Sequence, residues 1–284
     1  MNTYTSIQTR CGLVEYRISE PENSPAERTL LFINGGHTHC NSLLPDEPHL
    51  LDAGYRLIIP SRPGYQGTPS KTGRTAVEAA DALAALMEEL QVDHFDVIAL
   101  SAGGPTGLQL AGRYPRLVRK LILQCAVTCE WPDARQKRIA SMLFRPGIER
   151  IFWALFRRML SAAPRFTLTK LMESLTTLDA KAIVKALDAE QFLGMKQFVE
   201  MQRSGSGFMN DIHHNSGDLT RIQARTLIVF SKYDGTIPYR HVEYAMSRIP
   251  HAELYLTEAE SHLMWFSSHY AEVRSHLIHF LETF

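Results

Sequence analysis

The sequence has few cysteines and no long apolar segment. Only four of its 284 residues are cysteine, and they are scattered along the chain. We therefore predict free thiols and a reducing compartment, without a disulfide framework. No apolar run approaches the ~20 residues that cross a bilayer. The first residues also lack the charged and apolar regions of a signal peptide. We expect a cytoplasmic protein with no transmembrane segment.

An excess of charge of either sign is also missing. The 30 basic and 30 acidic residues balance, and the formal net charge at pH 7 is zero. Nucleic-acid-binding proteins carry a basic footprint, so we predict no nucleic-acid partner. The sequence has no internal repeat, which excludes solenoids and other repeat architectures. With 45% apolar and 21% charged residues, a chain of this length can bury a large globular core.

Short apolar runs rich in β-branched residues alternate with segments of helical periodicity. Runs that are apolar at consecutive positions are typical of strands buried on both faces of a parallel sheet. The predicted strands are Thr29–Ile33, Tyr55–Pro60, Phe95–Leu100, Leu121–Cys125, Thr226–Ser231 and a weaker Leu254–Leu256. The predicted helices are Thr75–Leu90, Pro105–Arg113, Val242–Arg248 and Ala271–Phe284. This alternation predicts the α/β class, with a mostly parallel central sheet and helices on both faces.

The alternation is interrupted once. Between Thr128 and Thr220 the pattern is helical, with loops and no convincing strand. We predict that residues 1–127 and 220–284 form the core domain and that residues 128–219 form an inserted helical cap. Open α/β sheets bind ligands beyond the carboxyl ends of their strands, which is where this insertion begins. The insertion is therefore expected to act as a lid.

The segment VIALSAGGPTG runs an apolar strand directly into Ser101. A strand, a serine and a helix, with small residues two positions before and two after, are the pattern of a nucleophile elbow. Ala99 and Gly103 hold those two positions. The elbow turn is sharp enough that larger side chains would collide, and it presents the hydroxyl at the amino end of a helix. Ser101 is therefore the candidate nucleophile.

A serine nucleophile needs a base, and the base needs an orienting carboxylate. Both should follow the serine in the chain, each in a loop after a strand. Asp234 lies three residues beyond the predicted strand Thr226–Ser231, and His262 lies in the loop after the last strand. Glu130, just past the strand Leu121–Cys125, is the alternative acid.

A tetrahedral intermediate also needs N–H donors for its oxyanion. The predicted donors are the amides of Ala102, directly after the nucleophile, and Gly36, in the NGGHTHC loop. His37 follows in that loop; it is the alternative second donor and is expected to line the substrate pocket. The His37-x-His39 spacing can suggest a metal site, but no matching ligand cluster stands elsewhere in the sequence. We therefore predict no metal.

These residues together resemble the α/β-hydrolase superfamily over nearly the whole chain. The likeness rests on the segments NGGH, SRPGYQGTPS, ALSAGG, SKYDGTIP and ESHLMWF. It implies a catalytic triad of Ser101, Asp234 and His262. It also implies that Arg62 is structural and supports the strand before the oxyanion loop. Asn34 and Ala99 replace a histidine and a glycine common in the family, and Glu260–Ser261 replace glycines, but every reacting group is present.

We predict a serine hydrolase, without a cofactor, that cleaves a carboxylic ester or lactone through an acyl-enzyme. Dehalogenases and epoxide hydrolases of this superfamily carry aspartate at the elbow, so Ser101 argues against both. Two alternatives remain open at this point. Hydrolases that cleave carbon–carbon bonds of ring-fission products also use serine, and small-ligand sensors of the same fold keep the triad with little turnover.

The predicted cap carries a basic, amphipathic segment. Residues 135–170 contain nine lysines and arginines against Glu149 alone. An apolar stripe at helical spacing runs through this segment, at Ile148, Ile151, Phe152, Leu155, Phe156, Met159 and Leu160. We expect the stripe to pack on the core, with Phe152, Phe156 and Met159 lining a pocket for a mainly apolar small molecule. The arginines are expected in water, and the alternative is attraction to anionic substrates or a membrane surface. No oligomeric state is predicted.

Overall fold

An eight-stranded sheet forms the centre of the computed structural model, which describes residues 4–22, 26, 28–131 and 133–283. Its strands are β1 (Tyr4–Thr9), β2 (Gly12–Ser19), β3 (Arg28–Ile33), β4 (Tyr55–Pro60), β5 (Phe95–Leu100), β6 (Val118–Gln124), β7 (Arg225–Ser231) and β8 (Ala252–Thr257). The order across the sheet is β1-β2-β4-β3-β5-β6-β7-β8. β1, β2 and β4 pair antiparallel, and every pairing from β4 across to β8 is parallel. The α/β class predicted from the sequence is confirmed.

Helices surround this sheet on both faces and fill the interval between β6 and β7. They are α1 (Glu47–Asp52), α2 (Ala76–Glu89), α3 (Gly104–Arg113), α4 (Ala134–Leu143), α5 (Ile148–Ala162), α6 (Pro164–Met172), α7 (Ala180–Ala186), α8 (Ala189–Glu200), α9 (Gly207–Asp211), α10 (Arg240–Met246) and α11 (Tyr270–Glu282). Phe284, where the last predicted helix ends, lies outside the described residues. No helix in the part of the chain that the structure describes is long and apolar enough to cross a membrane.

The central strands match the predicted ones closely because they are buried on both faces. β4 and β5 have the predicted bounds, and β3 and β7 each begin one residue earlier than predicted. All six residues of β5 are buried. Each fully buried leucine, isoleucine, valine or phenylalanine contributes about 1.5–3 kcal/mol, which fixes the strand that leads into Ser101. Thr75 caps the amino end of α2, and its hydroxyl accepts the N–H of Glu78 in a capping box.

The segment between β6 and β7 has an apolar cluster of its own. Its buried members lie on α5 to α8 and meet two side chains from the loop after β8, Leu263 and Phe266. The prediction that the whole apolar stripe of α5 packs on the core is wrong. Leu160 is buried, but Ile151 and Leu155 stay 63% and 59% exposed. One side of α5 faces the molecule, and the stripe is too wide for that side to cover.

Candidate active site

Ser101 sits in a strained turn between β5 and α3. Its φ is +45°, a left-handed backbone conformation that costs a non-glycine residue energy and often marks a functional site. A Cβ added to Gly103 would lie 2.5 Å from the main-chain oxygen of Asn34, and one added to Gly107 would lie 2.6 Å from the Ala99 Cβ. The chain after the serine therefore has room only for hydrogen at these positions. The small residues around Ser101 are what allow the elbow.

The side chains of Ser101, His262 and Asp234 form one hydrogen-bonded chain. The Ser101 Oγ lies 2.9 Å from His262 Nε2, and His262 Nδ1 lies 2.7 Å from Asp234 Oδ2. The other carboxylate oxygen, Oδ1, accepts the backbone N–H groups of Thr236 and Ile237 at 2.7 and 2.8 Å. Because β5, β7 and β8 are parallel, the loops after them emerge at one edge of the sheet. That edge brings together residues 161 positions apart.

Asp234 is held in its ionised form. Burial alone would raise the pKa of its carboxyl, but attraction to His262 and hydrogen bonds from His262 and the Ile237 N–H lower it below the ordinary value. The buried Cys125 thiol adds a smaller contribution in the same direction. A carboxylate that accepts the Nδ1 proton leaves Nε2 as the nitrogen that faces Ser101 and can take its proton.

Glu130, the alternative acid, points elsewhere. Its side chain is 90% exposed, and its carboxylate lies 3.6 Å from Lys137 Nζ. His262 Nδ1 is already paired with Asp234. The geometry therefore supports Asp234, and not Glu130, as the carboxylate that orients the histidine.

The two predicted oxyanion donors are neighbours at the mouth of the elbow. A Cβ built on Gly36 would lie 3.6 Å from the Ala102 Cβ, and one on Gly35 would lie 3.2 Å from the Ser101 Cβ. Gly36, Ala102 and Ser101 line the same cavity. The loop after β3 and the elbow after β5 are held against each other here because their strands are adjacent in the sheet.

Arg62 fixes the back of this loop. Its guanidinium is buried, donates from Nη2 to the Gly35 oxygen at 2.9 Å, and forms a bidentate ion pair with Asp211. Burial opposes the charge, but Asp211 and Tyr65 raise the pKa of Arg62 above its usual range. Asp211 was not singled out from the sequence. A lone acidic residue at the end of a short helix gives no signal of its buried partner.

A cavity of about 330 Å³ opens onto Ser101 and His262. Its apolar lining comprises Leu43, Leu44, Pro45, Leu100, Trp131, Phe144, Phe152, Trp153, Phe156, Leu171, Leu175, Phe198, Phe208, Leu263 and Trp265. Among the described residues that line it, none is arginine, lysine, aspartate or glutamate. His37, Phe152 and Phe156 are in the lining. Met159 is not, and its assignment to the pocket is wrong, because its side chain is 49% exposed on the outer side of α5.

His37 brings a neutral polar group to this apolar wall. Burial lowers the pKa of His37 to about 3, so the ring is uncharged at neutral pH. Its Nδ1 lies 2.8 Å from the Ser204 Oγ, which also accepts the indole N–H of Trp153 at 2.7 Å. The ring packs on Phe208, with centroids 4.0 Å apart. These contacts orient the imidazole from residues of the β6–β7 interval.

A loop of that same interval holds the acid and base loops in place. Thr176 forms an isolated bridge with Asp234, and its Oγ1 donates to the Glu260 oxygen at 2.5 Å. The Leu175 oxygen accepts the His262 N–H. A Cβ on Gly235 would lie 2.6 Å from the Thr176 N, so glycine is required there. Sequence analysis does not identify this role, because backbone hydrogen bonds between distant loops leave no pattern in the sequence.

Metal-ligand atoms also come together at the triad. Cys125, Asp234 and His262 each offer one such atom, all within 4.8 Å of one another. The thiol would first have to lose its proton, and burial raises the pKa of Cys125 well above its ordinary value. Asp234 and His262 are already hydrogen-bonded to each other, and His262 is also hydrogen-bonded to Ser101. The donor set therefore fits a hydrogen-bonded triad better than a metal centre. The four cysteines are free thiols.

A mostly parallel sheet with a serine elbow at the carboxyl end of its central strand defines a hydrolase of the α/β fold. Residues 28–267 match the family model of the alpha/beta hydrolase fold. The uncharacterized hydrolase YcgS of Bacillus subtilis (strain 168) is 33% identical over 278 residues, 96% of each chain. The chain therefore belongs to the alpha/beta hydrolase family.

More distant relatives agree with this assignment. A 2-hydroxy-6-oxo-6-phenylhexa-2,4-dienoate hydrolase from Burkholderia cepacia is 22% identical over 261 residues, 86% of this chain and 84% of its own. The structure of an alpha/beta hydrolase fold protein from Nakamurella multipartita matches with a TM-score of 0.80 and 24% identity, over 98% of this chain and 99% of that one. The fold is thus shared over nearly the full length.

Proposed function

We propose that this α/β hydrolase is a serine esterase or lactonase for neutral substrates with a large apolar part. The observation that carries the proposal is the Ser101–His262–Asp234 chain, which opens into a cavity walled by aromatic and aliphatic side chains. Burial of an uncharged apolar group in such a cavity is favourable, at roughly 25 cal/mol per Å² of apolar surface.

The first half of the reaction forms an acyl-enzyme. Ser101 Oγ attacks the carbonyl carbon, and His262 Nε2 takes the hydroxyl proton from 2.9 Å away. Asp234 keeps the imidazole in position and stabilises the imidazolium. The carbonyl oxygen becomes an oxyanion, which accepts hydrogen bonds from the Gly36 and Ala102 N–H groups. The intermediate collapses when the carbon–oxygen bond to the leaving group breaks and His262 returns the proton to that oxygen.

The second half releases the acid. Water attacks the ester carbon bound to Ser101, and His262 Nε2 accepts one of its protons. The same two N–H groups stabilise the second oxyanion. When the bond to Ser101 breaks, the proton on His262 passes to the serine oxygen, and the carboxylic acid leaves. No other reactant is consumed.

The charge of the residues that line the cavity distinguishes the two strongest candidate reactions, ester hydrolysis and carbon–carbon hydrolysis. A dienoate such as the one named for the Burkholderia cepacia relative carries a carboxylate. Burying a carboxylate is costly unless a cation or several donors meet it. Among the described lining residues no arginine or lysine is present to do so. This favours a neutral ester over a ring-fission dienoate. Carbon–carbon hydrolysis remains the second candidate because of that 22% identical relative.

We also propose that residues 128–219 act as a cap that selects substrates. Phe152, Trp153 and Phe156 of α5, Phe198 of α8 and Phe208 of α9 all line the cavity. The triad itself comes from the loops after β5, β7 and β8. On this proposal the reaction and the choice of substrate depend on different parts of the chain.

The experiment that tests the proposed function compares substrate classes on one protein sample. Steady turnover of p-nitrophenyl esters of graded acyl length, faster than turnover of a ring-fission dienoate, supports an esterase. Rapid dienoate cleavage beside poor ester turnover would establish the second candidate. A single burst without turnover on either class would identify a small-ligand sensor.

A further inference from the structure

The outer sides of α4 and α5 carry large apolar side chains that no other part of the described chain covers. These side chains are Ile139, Met142 and Leu143 on α4, and Ile151, Leu155 and Met159 on α5. Each is between 38% and 64% exposed. Ile139 is three and four residues from Met142 and Leu143, and Ile151, Leu155 and Met159 follow one another at intervals of four, so the three residues of each helix lie on one side. The two helices pack against each other. We refer to these six residues as the outer apolar face.

The outer apolar face lies among arginines. Arg135, Arg138, Arg145, Arg150 and Arg158 come from the same two helices and the loop between them, and all five are exposed. Glu149, the acidic residue of this stretch, is buried and accepts from Arg203 and the Ser204 N–H. Its carboxylate also lies 4.0 Å from the Nε of the exposed Arg150 and offsets part of that positive charge. Asp133, the N-cap of α4, is acidic and exposed. The rest of the exposed surface of these two helices is mainly apolar and positively charged.

The apolar stripe of α5 is wider than the side of the helix that faces the molecule. Phe152, Trp153 and Phe156 turn inward and line the cavity, whereas Ile151 and Leu155 turn outward. Contiguous apolar patches of this kind on a soluble protein mark an interaction site. The outward side therefore needs an occupant.

We propose that the outer apolar face docks on an anionic lipid surface. Apolar side chains flanked by arginines are the composition of helices that lie in the plane of a bilayer interface. Each arginine near an anionic membrane adds about fivefold to binding. A second copy of this chain fits less well. A twofold contact would place the same five arginines opposite one another, and like charges across an interface are unfavourable.

Docking in this orientation gives α5 two neighbours, the lipid on one side and the cavity on the other. An apolar molecule dissolved in the bilayer would then be separated from the cavity by one helix. The proposal does not depend on which bond the enzyme cleaves, since binding to vesicles is measured without a substrate.

The test is co-sedimentation of the full-length protein with vesicles. One set contains equal parts of phosphatidylglycerol and phosphatidylcholine, and the other contains phosphatidylcholine alone. Two double variants separate the contributions: Ile151→Ser with Leu155→Ser removes apolar contacts, and Arg145→Gln with Arg158→Gln removes charge. The matched control, Arg116→Gln with Met246→Ser, makes the same types of change at exposed positions outside α4 and α5.

We expect the wild type and the control to sediment with anionic vesicles, and to do so less at high salt. With neutral vesicles both proteins should remain in the supernatant. Each test variant should bind at least tenfold more weakly, with a circular dichroism spectrum and a thermal midpoint like those of the wild type. No binding by the wild type, or equal binding to both vesicle types, overturns the proposal. A wild-type dimer that the Ile151→Ser, Leu155→Ser variant converts to a monomer would assign the face to a second copy instead.

Discussion

The backbone N–H of His262 donates to the main-chain oxygen of Leu175 at 2.7 Å. The same oxygen accepts the N–H of Gly235, next to Asp234, at 3.1 Å. One carbonyl from the β6–β7 interval therefore ties together the loops of the base and the acid. This interval walls the cavity and also holds the hydrogen-bonded triad in register. Changes in it are expected to affect both substrate choice and rate, through different residues.

Substitutions of Thr176 can separate the effect of the β6–β7 interval on rate from its effect on substrate choice. Its Oγ1 donates to the Glu260 oxygen and accepts the Leu178 N–H. Thr176→Val keeps the shape and removes both hydrogen bonds, each worth about 1 kcal/mol. We expect kcat to fall about tenfold with KM nearly unchanged, because the His262 loop loses its anchor. Thr176→Ser keeps the hydroxyl and should restore the rate. Equal kcat values for the valine variant and the wild type would show that the hydroxyl positions nothing.

Asp234 and Glu130 make a matched pair of carboxylates. Asp234→Asn loses the acceptor that selects the correct imidazole tautomer, and we expect kcat to fall by roughly 10⁴. Glu130→Gln changes an exposed side chain that faces Lys137, and kcat should stay within about twofold of wild type. Steady-state ester hydrolysis measures both. The assignment of the acid is wrong if Glu130→Gln is the more damaging change.

The inner and outer sides of α5 should differ in their effect on substrates. Phe152 and Phe156 line the cavity, so Phe152→Ala or Phe156→Ala enlarges it and should shift the preferred acyl chain to greater length. Met159→Ala on the outer side is the control and should leave the ranking of chain lengths unchanged. kcat/KM across a series of p-nitrophenyl esters measures the shift. Alanine variants at 152 and 156 that lose stability but keep the wild-type ranking would contradict the role proposed for the cap.

Acid should destabilise the protein through buried neutral histidines. His241 Nδ1 accepts the Thr128 N–H at 3.0 Å, and burial, with a contribution from Arg240, lowers the pKa of His241 to about 4. The unfolded chain binds this proton near pH 6.5. The contribution of neutral His241 to the free energy of unfolding should therefore be fully present above pH 6.5, and it should decrease as the pH falls towards 4.

Urea denaturation at pH 7 and pH 5 measures this dependence. We expect His241→Gln to be less stable than the wild type at pH 7 but to lose less stability on acidification, by on the order of 1 kcal/mol. His37, with a pKa lowered to about 3, is still present in the variant and preserves part of the pH effect. Equal loss of stability in both proteins would show that His241 does not contribute.

Burial explains which elements of the fold could be predicted from the sequence. β3 to β7 each contain a run of consecutive buried apolar residues, because both of their faces are covered there. β1 and β2 were missed for opposite reasons. β1 is an exposed edge strand with a polar composition. β2 is largely buried yet contains Glu15, which accepts a hydrogen bond from the Ser61 hydroxyl, and Arg17, which forms an ion pair with Glu47. Charged residues with distant partners conceal a buried strand from any reading of hydropathy.

Some residues of the site could also be predicted from the sequence, and others could not. Ser101, Asp234 and His262 are predicted from the sequence because each follows a predicted strand and the three occur in the order nucleophile, acid and base. Asp211 and Thr176 were missed because their partners, Arg62 and Glu260, lie far away in the chain. Met159 was misassigned because helical spacing predicts which residues share a stripe but does not predict how much of the stripe the core covers.

The central claim is that Ser101 is the nucleophile of an esterase acting on neutral apolar substrates. The most direct measurement is the reaction of the wild type with p-nitrophenyl esters, followed by mass spectrometry of the enzyme quenched during turnover. We predict steady release of nitrophenolate and an acyl group on the peptide that contains Ser101. Ser101→Ala should lose both, with its thermal midpoint retained. Undiminished turnover by Ser101→Ala, or an acyl group on another residue, would contradict the account.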